Sequence, residues 1–145
     1  MITKKLYFEE IPSWLIIFIP VFLITGPFLS DLSVSIIAII FLINNFYNFN
    51  LLKKFYNNLF FKIFIVFWFI LILSSLNSDN IFGSLRSSFF YFRFAIFSLC
   101  FWYLIEKNEK ILNHIFISIL ICFLLLIVDG YIQYIFGKNI FGNEL

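Results

Sequence analysis

The sequence predicts an all-α fold: a polytopic transmembrane helical protein with about five spans and a cytoplasmic N-terminus. Three observations carry that reading. Of the 145 residues, 63% are hydrophobic and only 12% charged, whereas soluble domains are nearer a quarter charged. The apolar residues fall into five runs, and about 17–20 such residues cross the hydrocarbon core as a helix. The lysines concentrate in alternate connections, which sets an orientation.

The first run extends from about Ile11 to Phe28 and holds Pro12, Pro20 and Pro27. It lacks a small-x-small cleavage site, so it reads as a proline-bent membrane helix and not as a signal peptide. Gly26 to Asp31, GPFLSD, reads as a tight turn in which Ser30 or Asp31 caps the next helix. The second run, Leu32 to Phe46, is short enough to call for tilt or thinned lipid. Asn44 to Asn58 reads as an interfacial loop, with Tyr47 and Tyr56 at headgroup depth. Phe60 to Leu76, Leu85 to Ile105 and Ile111 to about Val128 are the remaining spans. Residues 129–145, punctuated by Gly130, Gly137 and Gly142, form an outer segment.

With the N-terminus inside, Lys4, Lys5, Lys53, Lys54, Lys62, Lys107 and Lys110 are cytoplasmic. Arg86, Arg93 and Lys138 alone fall on or toward the outside, in accord with the positive-inside rule. The net charge of +2 has no run suited to nucleic acid. Cys100 and Cys122 lie inside apolar runs and read as packing residues. A single histidine, His114, with no Cys/His or Asp/Glu cluster, argues against a metal site or other cofactor. His114 follows the cytoplasmic turn at Glu106–Lys110 and reads as a helix-start residue.

Arg86 and Arg93 stand in SLRSSFFYFRF (residues 84–94). Seven helical residues turn through about 700°, so both share one face, roughly 10.5 Å apart along the axis. An arginine at depth costs on the order of 2.5–3.5 kcal/mol to insert and normally faces a partner or a wet cavity. Two roles compete. As anchors, the arginines snorkel to the interface, or Arg93 pairs with Asp129 near the same outer boundary. As an anion site, the permanently charged guanidinium groups bind phosphate oxygens bidentately. In that role Lys138 adds charge, Ser87, Ser88 and Tyr91 add hydroxyl donors, and Asp129 orients an arginine.

Three stretches, LITGPFLSDLSVSIIAIIFL (residues 23–42), LSSLNSDNIFGSLRSSFFYFRFAIFSL (73–99) and DGYIQYIFGKNIFG (129–142), follow one another at spacings seen in a known family. In order and interval the chain resembles the N-terminal helices of the O-antigen ligase family, which includes O-antigen polymerases. The resemblance implies a polytopic enzyme of the bacterial inner membrane. Such enzymes transfer glycan from an undecaprenyl-pyrophosphate donor to an acceptor sugar, on lipid A-core or a growing glycan, at the periplasmic face. It implies no metal, and it makes Arg86 and Arg93 ligands of the donor pyrophosphate. It also implies that this chain is the opening portion of a longer protein, with the catalytic base beyond residue 145. Two other classes stand beside it: a small transporter or channel subunit, with Arg93 and Asp129 along a polar path, and a structural membrane subunit.

Overall fold

The computed structural model describes residues 6–138, and these are helical almost throughout. Lys4, Lys5 and the outer segment from residue 139 onward lie outside the described residues, as does the side chain of Tyr47. A π-helical turn, Leu6–Glu10, leads into α1, Ile11–Thr25. Then follow α2, Pro27–Tyr56, α3, Leu59–Leu76, α4, Ile81–Lys107, and α5, Lys110–Phe136. All five α-helices are long and apolar enough to cross a membrane.

One residue, Gly26, joins α1 to α2. Its backbone angles, φ 141° and ψ 165°, lie in a region that essentially only glycine occupies. Pro27 starts α2 immediately, because the first turn leaves its N–H groups unpaired and a missing one costs nothing there. The expected cap at Ser30 or Asp31 is therefore displaced. Ser30 Oγ instead donates to the Pro27 carbonyl from inside the helix, at 2.9 Å. A Cβ added at Gly26 meets nothing within 4 Å, so its penalty is one of backbone conformation alone. Gly26→Ala is expected to destabilise the hairpin by roughly 1–3 kcal/mol, read as a lower melting midpoint of the purified protein. An unchanged midpoint would show that the turn accepts another backbone conformation.

The interfacial loop expected over Asn44–Asn58 is helical through Tyr56, and the chain turns at Asn57 and Asn58. Helix propensity is weak there, but packing overrides it. Phe55 is buried edge-on against Trp102 and Tyr103 of α4, and Tyr56 meets Phe41 and Phe61. Asn58 then caps α3, its side-chain oxygen accepting from the Phe61 N–H at 2.7 Å. Asn80 does the same for α4 through Gly83 N–H, at 3.1 Å, so the fourth span starts at Ile81 and not at Leu85. The fifth helix runs past Asp129 to Phe136 and stops at Gly137, whose left-handed φ of 68° forms the cap.

Helix α4 packs between α2 and α3, while α1 packs between α2 and α5. The core includes Ile16, Ile37, Phe41, Ile96, Leu99 and Leu104. Small hydroxyl residues draw α3 onto α4: Ser75 and Ser88 share a hydrogen bond, and Trp68 Nε1 donates to the Ser88 carbonyl at 2.9 Å. Most apolar side chains of α3 and α5 point outward, as lipid-facing helices require.

Two interhelical ion pairs mark the end of the bundle that carries the N-terminus. Lys54 of α2 binds Glu106 of α4, and Lys107 of α4 binds Glu9 of the opening turn. The α1–α2 and α3–α4 turns lie at the opposite end, toward which Arg86 and Arg93 are placed.

Candidate arginine site at the hairpin end

Arg86 and Arg93 border one open surface depression of about 420 Å³ along α4, together with Ser87, Phe90, Tyr91 and Phe94 of the same helix. Because α4 begins at Ile81, Arg93 lies twelve residues along it, about 18 Å from its first residue. Arg86 is exposed and Arg93 half-buried. A guanidinium at that depth needs compensation. The structure supplies it from α2: Arg93 Nη2 is ion-paired with Asp31, and Nη1 donates to Ser35 Oγ at 3.2 Å. Its charge also lies 5.0 Å from the Phe94 ring centroid, within cation–π range. The Nε–H is buried with no protein acceptor.

Asp31 and Ser35 stand one helical turn apart on α2 and so present both acceptors to one neighbour. They replace the partner weighed from sequence. Asp129, half-buried on α5, accepts from Gln133 of its own helix at 2.7 Å, while Arg93 takes its carboxylate from Asp31. Ser88 departs from expectation as well. Its hydroxyl is buried against Ser75, which leaves Ser87 and Tyr91 as the hydroxyl groups lining the cavity. Lys138 is exposed just beyond the end of α5 and is not part of the cavity wall.

His114 is the fifth residue of α5, and its Nδ1 lies 2.7 Å from the Lys110 carbonyl one turn back. With Glu9, Glu10 and Lys107 it lines a separate cavity of about 540 Å³ at the N-terminal end, far from the arginines.

Chemically, the arginine depression offers two permanent cations, two hydroxyl groups and aromatic neighbours, with one of the cations already ion-paired to Asp31. That set suits an anion carried on an apolar molecule. The fold and site define a multi-pass helical membrane protein with a cationic cavity in the half opposite its N-terminus. No family model matches the chain, and neither does any curated protein or solved structure.

Proposed function

We propose that the chain belongs to a bacterial inner-membrane glycan ligase or polymerase, and that Arg86 and Arg93 receive the pyrophosphate of an undecaprenyl-linked glycan donor. The observation that carries this reading is the sharing of one cavity by both arginines, with Ser87 and Tyr91 beside them. The resemblance of the three stretches supplies the reaction. The acceptor sugar hydroxyl attacks the anomeric carbon, its proton passes to a base elsewhere in the protein, and the anomeric C–O bond to pyrophosphate breaks. Undecaprenyl pyrophosphate leaves with the bonding electrons. Cations fixed beside the departing oxygens stabilise the charge that develops on them.

The reading requires the arginine end to face the periplasm, as the lysine distribution favours. Single cysteines on a background lacking Cys100 and Cys122 test this. A cysteine at Asp79 is expected to react with an impermeant thiol reagent in intact cells, and one at Glu109 only after permeabilisation. Reaction at Glu109 in intact cells would reverse the orientation and remove the outer-leaflet site.

A second reading has its own observation. The Arg93–Asp31 pair links α2 to α4 across 62 residues of sequence, so the arginine can serve as an interhelical staple in a structural subunit. The two readings make opposite predictions for variants of this pair.

A further inference from the structure

The cleft of about 540 Å³ at the N-terminal end of the bundle takes no part in the arginine site, and its lining carries both signs of charge. The opening turn supplies Glu9 and Glu10, α1 supplies Trp14, and the α4–α5 junction supplies Lys107 and His114. A π-helical turn is an uncommon entry to a helix and recurs at functional sites. Here it ends in the two carboxylates. Lys107 Nζ binds the Glu9 carboxylate and donates to Tyr103 Oη at 3.0 Å, which among the described residues leaves one of its three N–H donors for a further acceptor. Glu10 is exposed and makes no ion pair among the described residues. His114 Nδ1–H donates to the Lys110 carbonyl, so in the neutral ring Nε2 keeps its lone pair. With His114 neutral, the lining holds two negative charges against one positive.

We infer that this cleft holds the head group of a phospholipid ending in a primary ammonium, of the phosphatidylethanolamine type, drawn from the leaflet at this end of the bundle. The ammonium brings three N–H donors and the missing positive charge to three acceptors, the Glu9 and Glu10 carboxylates and His114 Nε2. The lipid phosphate accepts the remaining Lys107 N–H. A metal ion is the other occupant an acidic lining suggests. Among the described residues, however, no group of His, Cys, Asp and Glu is set to hold one. An ammonium tolerates wider spacing, since its donor–acceptor distances are about 2.9 Å against about 2.1 Å at a metal. Trp14, exposed at this level, is of the type that settles at the membrane interface, and its ring also attracts a cation. Ile17 and Leu104, one turn deeper on α1 and α4, make the inner end of the cleft apolar. A soluble amine leaves that end unfilled, whereas a lipid brings its first methylene groups to it. This site is separate from the arginine depression and does not depend on what that depression binds.

The test uses the full chain in nanodiscs of equal phosphatidylethanolamine and phosphatidylcholine, with bound lipid counted by native mass spectrometry. The two lipids carry the same charges, but the choline nitrogen is fully methylated and donates no hydrogen bond. Among singly lipid-bound protein, phosphatidylethanolamine is expected to exceed phosphatidylcholine about fivefold, the worth of roughly one net hydrogen bond. Glu10→Gln combined with His114→Phe, both at exposed positions, is expected to bring that ratio to about one. Glu109→Gln, which removes a neighbouring carboxylate outside the cleft, is expected to preserve it. Equal binding of the two lipids by the wild type would overturn the ammonium site without recourse to any variant, and so would a preference that survives the double substitution. Soluble phosphoethanolamine in excess is expected to leave the lipid ratio unchanged. If it abolished the preference, the cleft would be a site for the free zwitterion and the lipid assignment would be overturned.

Discussion

Replacing Arg93 by glutamine is expected to reduce the affinity for a lipid-pyrophosphate analogue about 10- to 100-fold, the worth of one charge-assisted hydrogen-bonding group. Arg93→Lys is expected to fall between, since it keeps the charge but loses the planar fork that binds two oxygens at once. Arg86→Gln should cost less. Arg86 is exposed, and water and salt screen its charge more than that of the half-buried Arg93. The series is graded only if the arginines bind the ligand. If Arg93 is purely a staple, glutamine disturbs insertion or thermal stability, and affinity per inserted molecule stays constant. Binding measured on purified, correctly inserted full-length variants separates these outcomes. Unchanged affinity in Arg93→Gln would leave the arginines as structural residues and the functional reading on resemblance alone.

The sequence made the class of fold plain because composition alone sets it: helices this apolar have no stable place in water. The limits of the helices were harder to read. Asn44 to Asn58 has the composition of a loop, yet Phe55 and Tyr56 find aromatic partners on α2, α3 and α4 and hold it helical. No local pattern reveals partners that distant. The arginine pair was legible because seven-residue spacing on one helix fixes a shared face whatever the tertiary structure. Asp31 was not. It stands four residues after Pro27 in a stretch rich in turn-forming types, and its spacing to Ser35 has meaning only once α2 is known to start at Pro27. The same holds for Ser88, whose hydroxyl was expected in the cavity and is turned into the α3–α4 contact by Ser75 and Trp68. A contact between helices is a property of two faces, and a single sequence displays each face without its partner.

Asp31 therefore provides the sharper experiment. Asp31→Asn keeps a side-chain oxygen to accept from Arg93 Nη2, so the guanidinium remains oriented while its internal counter-charge is removed. Both side chains are partly exposed, 25% for Arg93 and 49% for Asp31, so a ligand can reach the pair. Two consequences follow for an anion site. Stability falls, because Arg93 loses its counter-charge within a span, and affinity for a lipid-pyrophosphate analogue rises about three- to tenfold, because the ligand no longer competes with a fixed carboxylate. A pure staple loses the same stability with no change in anion affinity. Exchanging the charges, as Asp31→Arg with Arg93→Asp, sharpens the contrast. The exchanged pair can restore the α2–α4 link and the melting midpoint, but it moves the cation off α4 and puts a carboxylate on the face that carries Arg86. Restored stability with lost pyrophosphate binding is the expected result. If the exchanged protein instead bound the analogue as well as the wild type, the position of Arg93 on α4 would not matter to the ligand, and the site would have to be sought elsewhere in the protein.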